Sequence, residues 1–175
     1  MANREALREL QGRLAQRLQL ARTEARVASW LAVECAGQGL LVPLPTAGEI
    51  FPVGVLVDVP HTQPWFLGVA NLRGGLHGVI DLAAFLGLRA PMLRDAVREQ
   101  HRLLAFNATI GAQCAVVVDR LAGLRSAAQI TPEPADGAQR PAFAGTIFRD
   151  ADGRRWQEID LVALARNDKF LAIAA

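Results

Sequence analysis

The sequence predicts an all-β core of two small β-barrels packed around shared apolar side chains, preceded by an N-terminal α-helix. Three observations carry this reading. From Trp30 onward the chain is a succession of short apolar runs broken by Gly, Pro and Asx turn signals, a texture of strands. A stretch of the chain repeats: Phe66-Leu67-Gly68 followed by Val79-Ile80-Asp81-Leu82 resembles Phe143-Ala144-Gly145 followed by Glu158-Ile159-Asp160-Leu161. Residues 3–28, in contrast, contain no Pro and only Gly12 as a breaker, and their Leu residues recur at helical steps.

The N-terminal segment, taken as 1–28, places Leu7, Leu10, Leu14, Leu18, Ala21 and Ala25 on one helical face, with Asn3 as a candidate N-cap. Six Arg and three Glu occupy the other faces. Such a helix docks its Leu face on its own domain, or offers it to a partner or to a second copy. Its acidic residues and its lack of Lys weaken membrane-surface and nucleic-acid roles. Residues 29–175 form the β domain. WLAVECAGQGLLVPL reads as two strands about a Gly37–Gly39 turn, and GEIFPVGVLVDVP continues with β-rich content and Pro breaks. LGVANLRGGLHGVIDL supplies two more strands about Gly74-Gly75. AAFLGL and PMLRDAVREQHR read as short helices, and strands resume with RLLAF and QCAVVVDRLAGL around an NATIG turn. TPEPADGAQRP is a loop, FAGTIFRDADGRRWQEIDL a hairpin turning at Asp152-Gly153, and VALAR a closing helix.

The repeat extends this picture. Gly-to-Ile spacing is 12 residues in the first copy and 14 in the second, and each copy runs into a short apolar helix. Two hairpin-like segments, LAVECAGQGLLVPL and LLAFNATIGAQCAVVV, precede the copies about 72 residues apart. Two similar barrels, each closed so that no strand edge is left open, would satisfy the repeat. Either alone would bury too little to be stable, so their apolar faces should pack together.

Composition narrows the function. The chain has 175 residues, 51% hydrophobic, with 19 basic against 17 acidic side chains and a net charge of +2. That balance excludes a strongly polyanion-binding composition and global disorder. The basic residues are 18 Arg and one Lys, Lys169, in no dense cluster. No apolar run approaches the roughly 18 residues of a membrane span, and no secretory signal pattern opens the chain, so a cytoplasmic protein without direct membrane insertion is expected. Cys35 and Cys114 sit in apolar, strand-like contexts and read as buried free thiols.

Catalytic signals are thin. His61, His77 and His101 lie in unrelated contexts, and the GxSxG, GxGxxG and phosphate-loop patterns are absent. No cofactor, metal or catalytic residue is expected. Asp81 and Asp160 stand where N-caps are wanted, which outweighs a role as paired acid–base carboxylates. Asp150 and Asp152 resemble a metal pair, but a hairpin turn explains them better. Aromatic residues are not interleaved with basic ones on a strand, which argues against nucleic acid. Arg73, beside a Gly-Gly turn after an apolar strand, should project at a barrel tip, and Glu49 is a candidate carboxylate partner.

Gly68-Val69, Asn71-Leu72-Arg73-Gly74 and Val79-Ile80-Asp81-Leu82, with a Pro-rich lead, resemble the signature of the CheW family of chemotaxis coupling proteins. The resemblance covers about residues 30–171. Ala47-Gly48-Glu49-Ile50 resembles the family's VxEI, Val116-Val117-Val118-Asp119 its VVVD strand, assigned to the second barrel, and Ile130-Thr131-Pro132-Glu133-Pro134 the loop that follows. The resemblance implies two SH3-like five-stranded β-barrels sharing a hydrophobic core. It also implies a non-enzymatic adaptor between the cytoplasmic tip of a chemoreceptor and the regulatory domain of a CheA-type histidine kinase. The receptor would bind a groove between the barrels near Glu49, Asn71 and Arg73, and the kinase would face the first barrel. Two departures stand out. The Pro usual before VIDL is Gly78, which loosens the strand entry, and the small residue before VVVD, often Gly, is Ala115. The long leading segment resembles the PilI-like branch of couplers that serve type IV pilus twitching systems. An alternative is an oligomeric scaffold of a pilus regulatory complex acting through the N-terminal helix.

Overall fold

The computed structural model describes residues 28–93, 97, 100–134 and 137–175. The predicted N-terminal helix falls outside the described residues except at Ala28. There the expected boundary is one residue late, because Ala28 already pairs with Ser126 as the first strand residue. Eleven strands follow in order: β1 (Ala28–Cys35), β2 (Gln38–Pro43), β3 (Ala47–Pro52), β4 (Phe66–Leu72), β5 (Gly75–Asp81), β6 (Arg102–Phe106), β7 (Cys114–Val118), β8 (Arg120–Ser126), β9 (Ile130–Pro132), β10 (Ala144–Asp150) and β11 (Arg155–Ile159). Helix α1 (Leu82–Phe85) follows β5, while α2 (Leu161–Ala165) and α3 (Asp168–Leu171) follow β11. A helix was expected over PMLRDAVREQHR. Its described residues before Arg102 are not helical, and Arg102 opens β6.

The strands form two sheets, ordered β3-β6-β7-β5-β4 and β8-β1-β2-β11-β10-β9. The repeat is therefore real, but its copies are exchanged. The hairpin β1–β2 precedes the first copy and lies in the sheet of the second, where β2 runs parallel to β11. The hairpin β6–β7 precedes the second copy and lies in the sheet of the first, where β7 runs parallel to β5. The VVVD strand is thus part of the first barrel, not the second. Its residues Ala115 to Val118 are buried on both faces, so the run carries no alternation that would reveal which sheet takes it.

Each sheet curls closed by the same device. After β3, the chain bends so that Val57 exchanges both backbone hydrogen bonds with Val69 of β4, at 2.8 and 2.9 Å. After β8, a turn leads into β9, which pairs with β10. One bent stretch thereby serves both edges of its barrel, which hides the ladder groups that an open sheet would expose. Gly68 makes the first closure possible. Its φ is +120°, and a Cβ there would lie 2.2 Å from the Val57 carbonyl oxygen.

Alternation along the strands divides the core into three. Leu67, Val79, Leu103 and Val117 fill the five-stranded barrel, and Ala32, Leu41, Ile130 and Trp156 the other. The largest cluster lies between the barrels, where Val33, Leu40 and Val42 meet Ile80, Leu104, Val116 and Val118. Phe85 sits among Trp65, Phe143 and Phe170, with ring centroids 5.2, 5.9 and 5.3 Å away. Burying one such side chain is worth about 1.5–3 kcal/mol. The shared layer thus supplies what two small interiors cannot.

Cys35 belongs to that layer. Burial, followed by the nearby Asp119 carboxylate, pushes its thiol up to about 12. The thiolate is the reactive form. A disulfide reagent at pH 8 is therefore expected to leave Cys35 unmodified in the native protein and to label it on unfolding. Prompt native labelling would show that the inter-barrel layer opens.

Candidate functional site

The β4–β5 hairpin turns on Arg73 and Gly74, whose φ angles are +50° and +84°. Two consecutive left-handed residues make the tight turn whose twist matches antiparallel strands. Asn71 shapes it, its Oδ1 accepting from the Gly74 N–H at 2.8 Å. Arg73 pays a backbone cost that Gly or Asn would avoid, a cost of the kind that collects at functional positions. Its guanidinium Nη2 lies 2.6 Å from Glu49 Oε1, with the two side chains 77% and 44% exposed. Glu49 is on β3 and Arg73 follows β4, the two edges of the five-stranded sheet, so the pair crosses the seam where the barrel closes. Exposed ion pairs contribute about 0–1 kcal/mol, so stability alone does not account for this arrangement. Val55 and Leu76 are exposed in the same barrel.

The predicted N-caps are in place. Asp81 Oδ1 accepts from the Ala84 N–H at 3.2 Å, and Asp160 Oδ1 accepts from Val162 and Ala163 at 2.8 and 3.1 Å. Asp81 has a second role that the sequence did not reveal. Its side chain is fully buried, and Arg89 Nη2 donates to it at 3.0 Å while Nη1 donates to Asp119 Oδ1 at 2.9 Å. Burial works against the charge on Arg89, but the two carboxylates hold its pKa above the usual guanidinium value. Asp119 Oδ2 in turn accepts from the Ala36 N–H at 2.6 Å. The pairing of Arg89 with Asp119, the residue that ends the VVVD motif, was missed because the two come from different segments and meet only in the fold. The expected loosening at Gly78 is also corrected. Its N–H donates to the Gln113 carbonyl at 2.9 Å, a bond that proline has no hydrogen to make.

A groove of about 550 Å³ lies between the barrels. Gln38–Leu40, Ile147 and Ile159 form the wall on the six-stranded side, Phe85, Leu86 and Leu88 the opposite wall, with Arg155 and Lys169 among its polar lining. The structure brings Glu49, Asn71 and Arg73 together at the hairpin tip, and none of the three lines this groove. Elsewhere on the six-stranded barrel, Glu34 bridges Arg120 and Arg154, and Glu133 bridges Arg149 and Arg155. The Arg120 hydrogen bond is the largest cause holding the Glu34 carboxyl below its usual value. Among the described residues, no group of three or more His, Cys, Asp and Glu is gathered for a metal ion, and no helix is long and apolar enough to cross a membrane.

Against known proteins, a family profile described as the CheW-like domain matches residues 29–169. The chain belongs to the CheW-like domain family. It is 27% identical over 155 residues to Protein PilI of Pseudomonas aeruginosa, covering 85% of this chain and 82% of that protein. Its fold matches that of the scaffolding protein TtCheW from Thermoanaerobacter tengcongensis. The TM-score is 0.61 at 19% identity, over 75% of this chain and 88% of that one. The two closed sheets around a common core are thus the CheW fold, and the motif residues that suggested the family fall at its structural joints: Gly68 at the closing seam, Asp81 and Asp119 around Arg89.

Proposed function

We infer that the chain is a non-enzymatic coupling adaptor that joins the cytoplasmic tip of a methyl-accepting chemoreceptor to the regulatory domain of a CheA-type histidine kinase. Its similarity to PilI favours a twitching-motility array over a flagellar one. The observation that carries the reading is Arg73, an exposed guanidinium held in a costly backbone conformation and aimed by Glu49. The receptor engages Glu49, Asn71 and Arg73 at the hairpin tip and, at a second contact that none of the three lines, lays an apolar helical face along the inter-barrel groove. The kinase is assigned to the five-stranded barrel, where Val55 and Val57 stand exposed beyond the edge of β4. The sequence ahead of Ala28, with its Leu residues at helical steps, is assigned to a partner contact of its own, and the protein acts in the cytoplasm. The adaptor contributes surfaces: joining two modest contacts in one particle raises the effective concentration of kinase at the receptor.

The test is reconstitution from purified parts. An immobilised receptor cytoplasmic fragment is expected to retain the kinase only when the full chain is added. Retention of neither protein would overturn the assignment.

A further inference from the structure

The two walls of the inter-barrel groove converge on one carboxylate. On the six-stranded side, the wall residues Gln38–Leu40 follow directly from the Ala36–Gly37 turn, whose φ angles are +49° and +78°. The Ala36 N–H of that turn donates to Asp119 Oδ2 at 2.6 Å. On the other side, Leu86 and Leu88 follow α1, and the chain then reaches Arg89, which donates to Asp119 Oδ1 at 2.9 Å. Asp119 itself sits between β7 and β8, where the chain crosses from one barrel to the other. Its own N–H donates to the Glu34 carbonyl at 2.9 Å. The second guanidinium arm of Arg89 is bound to buried Asp81, whose other oxygen accepts from the Met92 N–H at 3.1 Å. The repeat offers an internal comparison. Asp160, the counterpart of Asp81, accepts the bonds of its own helix but meets no Arg among the described residues, so the two copies, both of which contribute to the groove, differ in this arrangement.

We propose that Asp119, with Arg89, is the pin that sets the separation of the groove walls, making the two of them positioning residues for an apolar helix of the receptor tip. The chemistry suits the task. A planar guanidinium spans two carboxylates at fixed angles, whereas an ammonium reaches one at a time. Asp119 uses one oxygen for each wall. Asn at this position keeps a single acceptor oxygen and turns a donor toward either Arg89 or Ala36, so one wall is released while Arg89 still neutralises Asp81. The role in receptor binding rests on the functional reading above, but the pin itself does not.

The test measures the walls directly. Spin labels are placed on cysteines introduced at Gln38 and Leu88 in the full chain carrying Cys35→Ala and Cys114→Ser. A narrow distance distribution is expected with Asp119 and Arg89 intact. Asp119→Asn is expected to broaden it toward longer distances, and Arg89→Lys to give an intermediate result, with melting temperatures of the variants within a few degrees of the parent. Affinity for a receptor cytoplasmic-tip fragment should fall about tenfold in Asp119→Asn. Unchanged distances in both variants would overturn the pin. If the distances change but even the parent ignores the receptor fragment, the pin stands and the receptor assignment falls.

Discussion

Replacing Arg73 by Asn is expected to leave the protein about as stable as the parent and to weaken receptor binding roughly 30-fold. The stability side combines two small opposing effects. Arg73 holds a φ of +50°, which costs a residue of its type about 1 kcal/mol or more. Asn tolerates that conformation through local hydrogen bonding and so relieves the cost. Against this stands the exposed pair with Glu49, worth about 0–1 kcal/mol. The melting temperature should therefore stay within about 4 °C of the parent. Binding has no such compensation. An Arg at the centre of an interface is worth about 2 kcal/mol or more, which is roughly 30-fold at 1.4 kcal/mol per decade. Titration of the variant with a receptor fragment, alongside thermal unfolding, reads both quantities. Unchanged affinity with a marked loss of stability would reduce Arg73 to a residue that merely braces the seam.

The largest effect on folding is expected at Gly68. Gly68→Ala places a methyl group 2.2 Å from the Val57 carbonyl oxygen at a φ of +120°, where side chains are rarely found. The obstacle is backbone, so no rotamer change clears it. Either β4 shifts or the Val57–Val69 bridge breaks and the barrel seam opens. Strain of this kind together with lost edge pairing should cost about 3 kcal/mol or more, read as a lower urea midpoint at unchanged slope. Gly145 occupies the matching place in the repeat, yet there the added methyl meets the Glu158 side chain at 2.6 Å and the backbone is unstrained. Glu158 can move, so Gly145→Ala should cost clearly less. Equal losses at the two sites would refute the closure mechanism.

That contrast shows what the sequence discloses and what it withholds. Gly68 and Gly145 look alike in the repeat because both sit in the same kind of strand. Their different backbone conformations depend on where β3 goes after Pro52, which no local pattern encodes. The caps at Asp81 and Asp160 were legible because capping is a local exchange between a side chain and nearby N–H groups. The Glu49–Arg73 pair was legible because turn chemistry placed Arg73 at a tip, where a guanidinium seeks a carboxylate, and Glu49 was the candidate the AGEIF stretch offered. The exchange of hairpins was not legible. A hairpin pattern establishes that two strands pair with each other but not which sheet receives them. The groove and its Asp119–Arg89 junction are assembled from segments spread over most of the domain, and nothing local to Arg89 in the sequence signals a buried partner.

The exchange also dictates an order of events while the chain is being made. Strands β3 to β7 complete the five-stranded barrel once Val118 has left the ribosome. The β1–β2 hairpin emerges earlier than all of them, yet Gly39 pairs with Trp156, 117 residues downstream. At typical elongation rates that is a wait of roughly 6–23 s. Throughout it, Leu40, Leu41 and Val42 have no finished barrel of their own to enter. Once Val118 has emerged, the completed first barrel is the surface on which they can shelter, so the inserted half acts as the template around which the outer half closes.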